Sequence, residues 1–177
     1  MLLAAAAICS ANQATAALSY SSPYRPSETD VKTLPERLYD SRAKESIVRL
    51  PSGIEYFDLA RGTGAQAENG SQVSVYYTSR LRGLNGIKLD SSYDDKYATP
   101  FNFRVGEADV VPGLSEMVVG MQVGGKRRAV LPPSVAYKNA DMRPKVKEFF
   151  ARRRLLSVLE TSRDATIVFD VELIKLR

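Results

Sequence analysis

The side chains able to perform covalent or proton-transfer chemistry are few in this chain. Its 177 residues include no histidine, and its single cysteine, Cys9, lies in an apolar run near the amino terminus. Without histidine the chain cannot build a Ser–His–Asp centre, a Cys–His centre or a His-ligated zinc site. A single cysteine forms no internal disulfide and no thiolate metal cluster. We therefore expect neither a metal nor a cofactor.

The net charge of +5 comes from one segment of the chain. Residues 138–163 carry eight basic and three acidic side chains, so the remainder is neutral overall. Three interpretations remain open: a solvated basic helix packed on the domain, a docking element for a protein partner, or a surface for acidic membranes or nucleic acid. Nucleic acid is the weakest of these, because the arginines are not interleaved with stacking aromatic residues.

The docking interpretation covers residues 143–160, where apolar anchors would be rimmed by arginines. The anchors are Phe149, Phe150 and Leu156, and the rim is Arg152, Arg153 and Arg154. A basic helix before the last strand is predicted from the same residues, because Pro144 fits a first helical turn and a partial apolar stripe follows it. The stripe consists of Val146, Phe149, Phe150, Leu155, Leu156 and Leu159.

Alternating apolar residues predict β-strands around one short helix. The strand patterns occupy residues 53–64, 71–81, 100–106, 124–133 and 166–176. The segment VVPGLSEMVVGM predicts the helix, because its apolar residues repeat at helical spacing between a proline and a glycine. These residues are Leu114, Met117, Val118 and Met121. Mostly antiparallel strands with one apolar helix indicate an α+β fold in which the sheet folds over the helix.

The first 52 residues have the pattern of targeting and connecting sequence. Residues 1–17 are interpreted as a targeting-sequence remnant, since an apolar run too short to span a membrane precedes Ala14-Thr15-Ala16, a pattern typical of signal-peptidase sites. A disordered alanine-rich terminus is the alternative. Residues 18–52 contain several prolines and predict an extended arm, with one helical turn at 36–44. The domain is predicted to cover residues 53–177.

Six motifs occur from residue 53 onward in the order found in one protein family. They are GSQVSVYYTSRL, LDSS, TPFNFRVG, VVPGL, GMQVGGKRRAVLPPSVAY and VFDVELIKL. The chain thereby resembles the FKBP-type peptidyl-prolyl cis-trans isomerases, the macrolide-binding immunophilins, and most of all their thylakoid-lumen members. The resemblance implies a twisted antiparallel sheet wrapped around a short helix. It also implies acceleration of X–Pro bond rotation in folding client proteins.

That activity is compatible with the chemistry available to this chain. Rotation about an X–Pro bond faces a barrier of roughly 18–20 kcal/mol, which arises from amide resonance. A dry aromatic pocket that desolvates the amide, with polar groups placed for the twisted state, lowers this barrier without a nucleophile, a metal or a base.

The resemblance further implies which residues form the pocket. The catalytic positions match Tyr77, Asp90, Phe101, Tyr137 and Phe169. The substrate-binding positions match Leu89, Val110, Val111 and Leu114. Each catalytic position also has a purely structural explanation. Tyr77, Phe101 and Phe169 lie on apolar strand faces, where aromatic residues are commonly part of the core. Asp90 stands before two serines and fits a turn, and Tyr137 can anchor its loop by a hydrogen bond. Their joint occurrence at family spacing favours the pocket.

Several features depart from the family pattern. Leu89 stands where the most active members have phenylalanine, Leu114 where tryptophan is frequent, and Lys138 where glycine usually follows the tyrosine. Losing one aromatic wall removes contact area and about 1 kcal/mol or more of ligand affinity. Residues 138–165 also form a longer link to the last strand than compact members have.

Two hypotheses of different class follow from these features. The first is an isomerase of the thylakoid lumen, or alternatively of a bacterial periplasm, that acts on proline-containing clients. The second is a weakly active or inactive assembly subunit of a larger photosynthetic complex, which docks through residues 143–160 and the arm.

Overall fold

A computed structural model describes residues 47–82, 86–94, 97–161 and 165–177 of the chain. The predicted targeting remnant, the helical turn at 36–44 and most of the predicted arm lie outside the described residues. The sheet begins at Val48, ahead of the predicted domain boundary at Gly53, because a short strand from the end of the arm pairs with the next strand.

The described residues form a seven-stranded sheet and two helices. The strands are β1 (Val48–Arg49), β2 (Glu55–Ala60), β3 (Gln72–Leu81), β4 (Ile87–Ser91), β5 (Phe101–Arg104), β6 (Lys126–Leu131) and β7 (Ile167–Leu176). The helices are α1 (Pro112–Val118) and α2 (Phe149–Glu160). The strand order is β1-β2-β6-β7-β3-β4, with β5 also paired to β3, and every pairing is antiparallel. This arrangement confirms the predicted α+β fold, although β1 and β4 were not among the predicted strands.

The register of β3 brings distant residues to one face of the sheet. Ser79 pairs with Phe169 of β7 on one side and with Asp90 of β4 on the other. Val75 pairs with Phe101 at the start of β5. Because side chains two residues apart share a face, Tyr77, between Ser79 and Val75, joins the same face. Residues separated by most of the domain are thereby brought into one cluster.

Helix α1 packs under this face and is held at its carboxyl end by a buried arginine. The Arg127 side chain, only 5% exposed, donates hydrogen bonds from Nη1 to the carbonyls of Met117 and Val119 at 2.8 and 3.2 Å. Its Nε is 2.6 Å from Asp58 Oδ1, and its guanidinium lies 3.9 Å from the Tyr56 ring centroid. The last carbonyls of a helix have no partner within the helix, so Arg127 supplies what the helix lacks.

The VPGL motif also has a packing explanation. A Cβ added at Gly113 would lie 2.6 Å from atoms of Leu131 and 2.9 Å from the Val135 carbonyl oxygen. Any larger residue would push α1 away from β6. Leu114, the next residue, is fully buried.

The second helix begins later than the sequence pattern indicates. Helix α2 starts at Phe149, and the Glu148 carboxylate caps it by accepting from the backbone N–H groups of Phe150 and Ala151 at 3.0 and 2.5 Å. The prediction that Pro144 occupies its first turn is therefore wrong. Residues 144–147, directly before Glu148, form neither helix nor strand, and the Arg143–Pro144 peptide bond is cis.

Candidate active site

A tyrosine and an aspartate form the polar centre of the site. The Tyr77 hydroxyl donates to the Asp90 carboxylate, and both residues are buried. Burial raises the pKa of Asp90 above its usual range. Burial also raises the pKa of Tyr77, and the bond to Asp90 adds to that shift. The tyrosine is therefore a neutral donor and not a base.

The serines of the LDSS motif fix the tyrosine's backbone. Ser92 donates its N–H to the Tyr77 carbonyl at 2.9 Å, and its Oγ accepts from the Tyr77 N–H at 3.0 Å. Ser91 Oγ adds a 3.2 Å bond to the same carbonyl. The motif thus positions Asp90 and Tyr77 together, beyond the role of a simple turn.

Aromatic rings surround this polar pair. Tyr77 lies 5.9 Å from Phe101, edge to face, and 6.1 Å from Phe169, measured between ring centroids. Tyr137 lies 6.4 Å from Phe169, with the two rings stacked. Such separations are those of interacting aromatic pairs. The five residues predicted to be catalytic are therefore brought together by the fold.

The apolar positions of the predicted pocket lie in the core of the domain. Leu89, Val110, Val111 and Leu114 are buried and belong to the same core cluster as Tyr77, Tyr137 and Phe169. Their roles toward a substrate remain predictions.

A neighbouring segment of the chain covers this cluster, and we name residues Arg143 to Lys147 the strap. It is directed back to the domain by a turn in which Asn139 Oδ1 accepts from the N–H groups of Asp141 and Met142 at 3.0 and 3.1 Å. Arg143 of the strap then pairs with Val110 in an isolated parallel β-bridge. The Arg143 N–H donates to the Asp109 carbonyl at 2.7 Å.

The strap uses polar groups of the predicted pocket. The Val111 N–H donates to the Arg143 carbonyl at 2.9 Å, and the Tyr137 hydroxyl donates to the Pro144 carbonyl at 2.8 Å. The Asp90 carboxylate accepts a hydrogen bond from the Lys147 backbone N–H.

The apolar side chains of the strap are buried. Pro144 is buried and Val146 is 2% exposed, whereas Lys145 and Lys147 are exposed. Sequence reasoning assigned Val146 to a helical stripe and missed this arrangement. The signal was present, since charged and apolar residues alternate through RPKVK, which is the period of an extended strand. The residue before a proline also avoids helical conformation.

Carboxylates hold the first residue of the strap from outside. Arg143 pairs with both oxygens of Asp109 at 2.7 and 3.0 Å, and with Glu107 at 2.8 Å. The bond from Arg143 lowers the pKa of Asp109, and reciprocally Asp109 raises the pKa of Arg143. The guanidinium carbon also lies 5.8 Å from the Phe101 ring centroid.

The anchor and rim residues of the predicted docking segment lie on α2. Phe149 and Phe150 are 68% and 66% exposed, with ring centroids 5.5 Å apart. Arg152 is engaged within the chain, because it bonds the Ala140 carbonyl and Asp141, both at 2.9 Å. Arg153 and Arg154 are exposed. Use of this surface by a partner stays a prediction.

Besides the aromatic cluster, the described residues form a cavity but neither a metal site nor a membrane-spanning helix. A cavity of about 470 Å³ is lined by residues that include Tyr56, Glu107, Val110 and Ser115. Of the residues with described positions, no three potential ligands of the His, Cys, Asp and Glu types are grouped to hold a metal ion. Neither described helix has the length and apolar character needed to cross a membrane.

Comparison with known proteins decides the family. Residues 63–174 match the family model for FKBP-type peptidyl-prolyl cis-trans isomerases. The chain belongs to this family. The resemblance read from the six motifs is therefore confirmed.

Individual FKBP relatives agree with the family assignment. The chain is 36% identical to the chloroplastic peptidyl-prolyl cis-trans isomerase FKBP17-1 of Arabidopsis thaliana, over 78% of this chain and 67% of the relative. It is 38% identical to the chloroplastic FKBP16-1 of the same plant, over 72% of this chain and 60% of the relative. The chain thus spans roughly two thirds of the length of these relatives.

Solved FKBP structures share the fold. The crystal structure of AtFKBP13 superposes with a TM-score of 0.55 at 25% identity, covering 75% of this chain and 99% of that one. FkpA from Escherichia coli gives a TM-score of 0.56 at 25% identity, covering 84% of this chain and 60% of that one.

Proposed function

We propose that this FKBP domain is a peptidyl-prolyl cis-trans isomerase that accelerates rotation of X–Pro bonds in client proteins. One observation carries the proposal. The Val111 N–H and the Tyr137 hydroxyl bind the consecutive carbonyls of an Arg-Pro dipeptide of the chain itself. That these two donors already hold an X–Pro segment supports a pocket that binds X–Pro segments of clients.

The proposed mechanism relies on desolvation and on placed donors. Phe101, Tyr137 and Phe169 exclude water from the amide, which weakens the charge-separated resonance form that opposes rotation. Hydrogen bonds that strengthen as the amide twists stabilise the transition state. Asp90 accepts the hydrogen bond of the Tyr77 hydroxyl and so fixes the orientation of the tyrosine. The reaction requires no proton transfer, so Asp90 acts by positioning Tyr77. Leu89, Val110, Val111 and Leu114 form the apolar floor and rim.

An isomerisation assay on a proline-containing tetrapeptide tests this function. Phe101→Leu removes a wall ring at a partly buried position, and we expect kcat/KM to fall about tenfold, the equivalent of about 1.4 kcal/mol. Phe150→Leu is the matched control, because that ring is exposed on α2. The same assay is run on a variant whose strap has left the pocket. Rates equal to the uncatalysed rate, for the wild type and for this variant, would contradict the proposal.

The location of the protein is proposed from its relatives. Arabidopsis relatives that match this chain carry chloroplastic in their names. The Ala-Thr-Ala motif supports the thylakoid lumen within that organelle. Protease protection of the protein in isolated, intact thylakoids is the expected result. Recovery from the stroma would refute a lumenal location, and a bacterial source would favour the periplasm.

A second function is favoured by the occupied pocket and the exposed ring pair. The domain would then act as an assembly subunit of a photosynthetic complex, docked through residues 143–160. Changing Phe149 and Phe150 together to serine should shift the protein from a complex to the monomer on native gels of chloroplast extract. Unchanged migration of that variant would argue against docking through these rings.

A further inference from the structure

We infer that the strap, Arg143 to Lys147, is a tethered pseudo-substrate that keeps the isomerase site closed until a client displaces it. The inference rests on the proposed function and concerns the regulation of the same site.

Binding of the strap and binding of a client exclude each other. The Val111 N–H and the Tyr137 hydroxyl each donate to a strap carbonyl, and both are at ordinary hydrogen-bond distance, 2.9 and 2.8 Å. A client X–Pro segment bound by the same two donors would require both carbonyls of the strap to leave. Both donors therefore form hydrogen bonds with the strap and do not merely lie near it.

The strap also fills the apolar part of the site. Pro144 and Val146 point to the buried side, and Val146 joins the core cluster that contains Tyr77, Tyr137 and Phe169. Lys145 between them is exposed. This alternation is that of a bound extended peptide with one face in its groove.

Both ends of the strap are held by acidic groups. Lys147 donates its backbone N–H to Asp90, which is the polar centre of the site. Arg143 pairs with Asp109 and Glu107, whose side chains are 58% and 41% exposed. Exposed pairs of this kind are weak and are screened by salt.

The expected consequence is a reduced apparent affinity for clients. When only a fraction of molecules has an open site, the apparent dissociation constant rises by the reciprocal of that fraction. Weakening the strap without touching the walls of the pocket should therefore raise kcat/KM. The gain appears only in variants of the strap.

The decisive variant is Val146→Asp. An aspartate there would have to be buried next to the residue that contacts Asp90, so the strap should leave the site. We expect kcat/KM for a Leu-Pro tetrapeptide to rise about tenfold or more, and tenfold equals about 1.4 kcal/mol. Val48→Asp is the matched control at an exposed position of β1 and should leave the rate unchanged. Val146→Ser is a milder second variant in case the aspartate impairs folding.

Hydrogen exchange gives a readout that does not depend on activity. The Val111 amide is bonded to the Arg143 carbonyl in the closed site, so its exchange should speed up about tenfold in Val146→Asp and stay unchanged in Val48→Asp. Faster exchange without any isomerase activity would support the strap while refuting the enzymatic function. Equal kcat/KM and equal Val111 exchange in the wild type and both Val146 variants would overturn the inference.

Discussion

Replacing Arg127 by methionine tests how the helix under the pocket is held. The side chain is buried and bonds the carbonyls of Met117 and Val119 at the end of α1, so methionine fills the volume but leaves both acceptors unpaired. A buried acceptor without a partner costs about 1–3 kcal/mol. The Asp58 carboxylate is 32% exposed and can be solvated, so it adds little.

We therefore expect the free energy of unfolding to fall by about 3 kcal/mol, as two unpaired carbonyls dominate the loss. Urea denaturation followed by circular dichroism measures it as a lower midpoint with an unchanged slope. Arg153→Met is the matched control on the exposed face of α2 and should change stability by no more than about 0.5 kcal/mol. A loss below about 1 kcal/mol for Arg127→Met would refute the view that Arg127 supports α1, since that is the smallest cost of a single lost acceptor.

Three further predictions concern the cap, the buried carboxyl and the buried ion pair. Glu148→Ala removes the cap of α2 and should cost about 1 kcal/mol, measured by thermal unfolding, whereas Glu148→Asp should retain most of it. Burial raises the pKa of Asp90 in the folded protein, so the free energy of unfolding should fall as pH rises from its unfolded value of about 3.9 through the folded value. Urea titrations at several pH values in that range should show that the free energy of unfolding depends less on pH for Asp90→Asn than for the wild type. An identical pH dependence would contradict the raised pKa of Asp90. Arg128→Met breaks a buried bidentate pair with Asp170 and should cost about 3–5 kcal/mol, whereas adding Asp170→Leu should restore most of the loss. A double variant as unstable as the single one would refute that reading.

The aromatic cluster was predictable because its residues follow local patterns. Period-two alternation identified the strands that carry Tyr77, Phe101 and Phe169, and the LDSS motif identified Asp90. What brings these residues together is the register of β3, which pairs Ser79 with Phe169 and with Asp90. Register depends on contacts between segments far apart in the chain, so only the family resemblance supplied it.

The elements that were missed depend on partners that local sequence does not contain. Arg127 lies on the same face of β6 as the buried Ala129 and Leu131, where a charge is unexpected until the carbonyls of α1 are known. Strand β4 is short and its pairing with β3 is interrupted by an irregularity after Ser79. Val146 fits a helical stripe as well as an extended one, and the Glu148 cap decides between them.

The strap need not bind tightly to keep the site closed, because it is tethered. Short flexible linkers give effective concentrations in the millimolar range, so even a weak X–Pro contact is occupied for much of the time when it is held in place. The turn at Asn139 and the capped start of α2 at Glu148 fix both flanks of the strap and reduce the ordering entropy of closure further. The same tether limits the inhibition, since a client that brings contacts beyond its X–Pro bond gains affinity that the strap cannot match. A strap of this kind therefore selects against short or incidental proline segments and favours clients that engage a larger surface of the domain.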